Sequence, residues 1–136
     1  MRVKAISVYP TEEEIKVMGE GFRPYIGFAV TVGNVYTVLG ISFFLGPSST
    51  VYGNTVCVEI VDDEGNFVSV PLCLFEIVDP RVSRHWEARK GEAAALRLWP
   101  PSFYEGYFHD DLSNGVPDAV REFERVRQLI EDEFGD

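Results

Sequence analysis

The apolar and polar positions of the first half of the chain follow the two-residue period of strands rather than the period of helices. From Tyr25 onward, β-branched and aromatic residues fill four stretches, "YIGFAVTVG", "VYTVLGISFFLG", "TVYGNTVCVEIVDD" and "NFVSVPLCLFEIVD". Gly33-Asn34, Gly46-Pro47-Ser48-Ser49 and Asp63-Glu64-Gly65-Asn66 punctuate them, each with a residue able to take positive φ. Short connections of this kind predict antiparallel hairpins. Ahead of them, "RVKAISVY" places Val3, Ala5 and Ser7 on one side and Lys4, Ile6 and Val8 on the other, closing at Pro10. Thr11 with Glu14 three places on is a capping-box pattern, and Ile15, Val17 and Met18 give a short helix or turn before glycines stop it.

After Asp79 the pattern changes. "DPRVSRHWEARKG" has an aspartate cap, a proline at the first helical position and a glycine behind its last basic pair, which predicts a short helix over residues 80–90. Val82 and Trp86, four apart, would share its buried face. "AALRLW" returns to the sheet, and Pro100 and Pro101 end it. From Pro117 the apolar residues Val120, Phe123, Val126, Ile130 and Phe134 recur every three or four positions, predicting an amphipathic helix over 117–134. The expected fold is α+β: a curved antiparallel sheet or small SH3-like barrel in residues 1–79, a short helix after it and a C-terminal helix docked on the sheet. At 136 residues and 46% hydrophobic content, without repeats or linker-like runs, residues 1–136 form a single domain.

Charge narrows the functional classes. Twelve basic against twenty-two acidic residues give a net charge of −10, a poor basis for gripping phosphates, so nucleic acid is not an expected partner. The imbalance is uneven: −4 over residues 1–70, +1 over 71–100 and −7 over 101–136. No apolar run is long enough for a membrane span and the N-terminus has no signal-peptide pattern, so a cytoplasmic protein is expected. Cys57 and Cys73 lie in apolar runs without metal-type spacing and read as buried free thiols.

The segment "LWPPSFYEGYFHDDLSNG", residues 98–115, concentrates the candidate chemistry. Neither His85 nor His109 lies in a motif placing it beside a nucleophile, and no phosphate-binding glycine loop occurs. Trp99, Phe103, Tyr104, Tyr107 and Phe108 are expected to divide between a closed aromatic corner and its rim. Tyrosines bordered by acids have the composition of a protein-binding patch, so Tyr104, Glu105, Tyr107, Asp110, Asp111 and Asp118 are the expected partner-binding residues, with no cofactor. Such a patch suits a basic protein; oligomeric state stays open. The alternative is a small metal- or ligand-binding enzyme using Tyr107 to Asp111, with His109, Asp110 and Asp111 as ligands. A third surface is the basic cluster of Arg81, Arg84, His85, Arg89 and Lys90 around Trp86, which would favour an acidic partner.

The layout of "VGNVYTVLGISF", "CLFEIVDPRVSRHWEAR" and "YFHDDLSNGVPDAVREFERVRQLIEDEF" resembles small bacterial proteins encoded as immunity partners of polymorphic toxins. The resemblance covers about the last hundred residues and rests on general pattern without a diagnostic motif. It implies an inhibitor that binds a cognate toxin in the cytoplasm and blocks its active site, without a cofactor. It assigns no individual residue.

Overall fold

Val58 and Ile60 on one face of strand β4 (Thr55–Val61), and Cys57 and Glu59 on the other, are all buried, which places this strand at the centre of a three-layered molecule. The computed structural model describes residues 1–19, 27–45, 53–91 and 94–135. The earlier elements are β1 (Arg2–Ala5), α1 (Glu12–Met18), β2 (Val35–Thr37) and β3 (Gly40–Phe44). After β4 come β5 (Phe67–Pro71), β6 (Phe75–Asp79), β7 (Glu87–Arg89), β8 (Leu96–Trp99), α2 (Phe108–Ser113) and α3 (Pro117–Phe134). The strands form two antiparallel sheets, one of three strands in the order β2-β1-β6 and one of five in the order β5-β4-β3-β8-β7.

The core between the sheets joins Val3, Ala5, Tyr36 and Phe75 of the smaller sheet to Ile41, Val58, Ile60 and Val70 of the larger. A second core lies on the opposite face of the larger sheet, where Trp99 and Phe103 meet Phe108 of α2 and Ala119, Phe123, Val126, Ile130 and Phe134 of α3. The helix thus buries the stripe its spacing predicts, except that Val120 is partly exposed and Ala119 takes the buried place. At α1 the capping box forms as expected: the Glu14 amide donates to the Thr11 hydroxyl at 3.1 Å and the Thr11 amide to the Glu14 carboxylate at 2.8 Å.

The expected α+β class stands, but the sheets do not close into a barrel. The run "NFVSVPLCLFEIVD" is not one strand. Pro71, opposite Cys57, cannot donate onward along the ladder, and a 3-10 turn at Leu72–Leu74 carries the chain from the larger sheet into the smaller one as β6. The helix expected over residues 80–90 is also absent: this stretch is a turn at Arg84 and His85 followed by β7. Its local signals lose to tertiary bonds. Glu133 of α3 accepts from the Ser83 hydroxyl at 2.6 Å and the Arg84 amide at 2.8 Å, Trp86 Nε1 donates to the Leu39 carbonyl at 2.9 Å, and Glu87–Arg89 pair with β8. The short helix that follows the sheet is α2 instead. The turn predicted at 46–49 lies outside the described residues.

Candidate functional site

β8 delivers the segment singled out in the sequence to the edge of the helical layer. Pro100 ends the strand, and Pro101 opens a 3-10 turn, Pro101–Tyr104, that drives Phe103 into the second core. Phe103 stacks with Phe108 at 5.3 Å between ring centroids and with Phe123 at 6.0 Å, and meets Phe67 edge-on at 5.2 Å. Closing this corner leaves three residues, Glu105 to Tyr107, to turn from the 3-10 segment into α2. Tyr107 takes the last position in a left-handed conformation, φ 65° and ψ 6°. It is the only non-glycine residue with positive φ among the described residues, and it is 80% exposed.

The acids around it differ in their commitments. Glu105 and Asp110 are exposed and Asp111 is half-buried; among the described residues none of the three has an ion pair. Asp118, at the start of α3, is paired with Arg121 one turn along. Tyr104 faces the sheet: its hydroxyl oxygen lies 2.6 Å from the Glu87 carbonyl and 2.8 Å from the Arg97 carbonyl, which share its one proton, and the Arg89 guanidinium covers its ring at 4.5 Å. It bridges β7 to β8 while Tyr107 stands in solvent.

His109 is drawn inward, onto the aromatic corner. Its Nε2 lies 3.0 Å from the Phe103 carbonyl, which assigns the proton to that nitrogen, and its ring stacks on Phe67 at 5.8 Å. Burial first, and Arg97 after it, hold the imidazole below its usual pKa. Nε2 thus serves the aromatic corner. Among the described residues no group of three or more His, Cys, Asp or Glu side chains converges on a point that could hold a metal ion. Of the basic cluster, Arg81 is paired with Asp79 and Arg89 with Glu87, and Trp86 is half-buried.

The structure adds a group that the sequence analysis did not single out. Glu59 is 2% exposed on the helical face of the larger sheet. Oε1 accepts from Trp99 Nε1 at 2.6 Å and the Ser42 hydroxyl at 3.1 Å, and Oε2 from the Ser69 hydroxyl at 3.0 Å. Arg97 Nε donates to the same Ser42 oxygen at 3.2 Å, and its guanidinium lies 4.3 Å from the Trp99 ring centroid. Burial pushes the Glu59 carboxyl up to about 7, against the pull of Trp99, Ser69, Ser42 and Arg97. Gly40 makes room for this arrangement, since a Cβ there would come within 2.4 Å of Trp99 Cδ1. A lone acid in the apolar run "TVCVEIV" was the available signal; the serines that satisfy it come from two other strands.

Fold and segment together define an α+β domain that holds an aromatic corner between a five-stranded sheet and a C-terminal helix, and presents one tyrosine outside it. No protein-family model, no curated protein and no solved structure matches this chain. Among the described residues, no helix is long and apolar enough to cross a membrane.

Proposed function

We propose that this chain is a non-catalytic protein-binding module, an acidic immunity-type inhibitor that neutralises a basic toxin or effector, and that Tyr107 is its anchor. The observation that carries the reading is the conformation of Tyr107. A non-glycine residue in the left-handed region costs about 1–3 kcal/mol, and glycine would occupy the position without that penalty. The cost at Tyr107 is not offset by burial of its ring, because the ring lies in water. A binding partner supplies the missing return: a rigid aromatic side chain with a polar tip is the kind of group that dominates protein interfaces once desolvated. Glu105, Asp110, Asp111 and Asp118, on the same stretch of chain, give the anchor an acidic border suited to a basic protein.

Tyr107→Gly separates the two roles. Its thermal unfolding midpoint is expected to equal or exceed that of the parent chain, because relief of the strained backbone offsets the added freedom of glycine in the unfolded state. Capture from cell lysate at low salt is expected to retain a basic protein on the parent chain and to lose it from Tyr107→Gly. Equal retention by both, or no basic protein on either, overturns the reading.

A further inference from the structure

Arg89 of β7 and Arg97 of β8 stand directly opposite each other in the antiparallel ladder, so their side chains leave the same face of the larger sheet. Like charges in that relation repel. Each guanidinium is nevertheless held in a defined place. That of Arg89 lies 4.5 Å from the Tyr104 ring centroid, that of Arg97 lies 4.3 Å from the Trp99 ring centroid, and the two rings are 5.2 Å apart. Phe44 flanks Arg97 at 5.9 Å.

The two cations differ in what neutralises them. Arg89 is paired with Glu87, whose Oε2 accepts from Nε at 2.9 Å and from Nη2 at 2.5 Å. Arg97 has no ion pair among the described residues, although it is half-buried. The buried Glu59 is joined to it through Ser42: Arg97 Nε donates to the Ser42 oxygen at 3.2 Å, and the Ser42 hydroxyl donates to Glu59 at 3.1 Å. That bond and the Trp99 ring fix the guanidinium plane. Its two Nη nitrogens have no hydrogen bond within the described residues, and neither is shut away from solvent.

A guanidinium with a fixed plane and a free outer edge presents two parallel N–H donors, the fork that a carboxylate fits. Glu87 sets the charge. It balances one of the two positive charges, and the single charge left over matches a carboxylate rather than a doubly charged phosphate. β7 is the outermost strand of the larger sheet, so the fork lies one strand in from a rim that another chain can reach.

We infer that Arg97 is a docking point for an aspartate or glutamate side chain of another protein chain. The inference goes beyond the binding reading above, because the contact is opposite in charge to that of Glu105, Asp110 and Asp111 and does not involve Tyr107.

The probe is N-acetyl-glutamate methylamide, titrated into the full chain and followed by NMR at the Arg97 Nε–H and the Trp99 indole N–H. The neutral glutamine analogue and inorganic phosphate are the comparison ligands. The expected result is saturable shifts with the glutamate probe, several-fold weaker binding of phosphate and none of the glutamine analogue. Arg97→Lys keeps the charge and loses the fork, so binding read at the Trp99 indole is expected to fall several-fold; Arg84→Lys, at an exposed arginine, is expected to leave it unchanged. Shifts that never saturate, equal binding of the glutamine analogue, or full affinity in Arg97→Lys overturn the inference. Tighter binding of phosphate overturns it too, in favour of a site for free phosphate. Tyr107→Gly is expected to titrate as the parent chain does, so failure of the anchor reading appears in the capture experiment and failure of the Arg97 reading in the titration.

Discussion

A carboxylate in an interior strand of a sheet covered on both faces would cost several kcal/mol if left uncompensated. Glu59 meets that cost with three donors from three strands, and retains enough of it for burial to raise its pKa. An acid whose pKa is higher in the folded chain favours folding in its protonated form. Its contribution is complete below the ordinary value of 4.5 and is lost as pH climbs from there through about 7. At about 1.4 kcal/mol per pH unit, the effect amounts to at most about 3.5 kcal/mol. Glu59→Gln keeps the shape and one acceptor oxygen, its amide nitrogen can donate to the Ser69 hydroxyl oxygen in place of accepting from it, and it cannot ionise. Denaturant unfolding at a series of pH values is therefore expected to show the parent chain losing stability relative to Glu59→Gln between about pH 4.5 and pH 7; a constant difference would mean that Glu59 titrates normally. Tyr107 is the complementary case, an aromatic residue placed in water by a backbone conformation that most side chains avoid.

At the scale of elements, the local signals that succeeded are those satisfied within a few residues. The Thr11–Glu14 capping box, the Asp63–Asn66 hairpin turn and the apolar stripe of α3 each form as the sequence implies. At the hairpin the Asp62 carboxylate accepts from the amides of Glu64 and Asn66, each at 3.0 Å, a self-contained arrangement. Residues 80–90 have comparable helix signals and do not form one, because Glu133 takes the Ser83 hydroxyl and the Arg84 amide from forty-nine or more residues away. Glu133 therefore ties the last turn of α3 to the connection ahead of β7. Removing it in Glu133→Ala leaves these donors without their partner, at a cost of about 1–3 kcal/mol. Hydrogen exchange at the Arg84 amide is expected to accelerate sharply while exchange in β4 changes only by the global loss of stability. Protection of Arg84 unchanged from the parent chain would show that another group holds the turn.

For the whole molecule, charge and layering act together. The −7 carried by residues 101–136 lies in the part of the chain that supplies the aromatic turn, α2 and α3. Arg121 and Arg125 are neutralised within α3 by Asp118 and Glu122, whereas Glu105, Asp110 and Asp111 have no ion pair among the described residues. Their field acts at a distance until salt screens it, over about 10 Å at 0.1 M. Converting the three to Gln and Asn changes the net charge from −10 to −7. With the captured partner, stopped-flow association is expected to slow several-fold at low salt and to match the parent chain at high salt. An unchanged rate at low salt would place the interface elsewhere.

What the sequence determined by itself is what local periodicity and composition control: the strand-rich first half, the turns at 33–34 and 63–66, the capped α1, the amphipathic α3 and the acidity of the last quarter. Hydrophobic spacing states which face of an element must leave water, and capping and turn residues act on their immediate neighbours. The tertiary structure alone decided which elements share a sheet, because Pro71 ends one ladder without specifying where the next begins. It also decided that residues 80–90 form a turn and the short strand β7, that Glu59 is satisfied and that His109 turns inward while Tyr107 turns out. Each of these depends on hydrogen bonds or packing between residues far apart in the chain, whose energies arise only once the layers have come together.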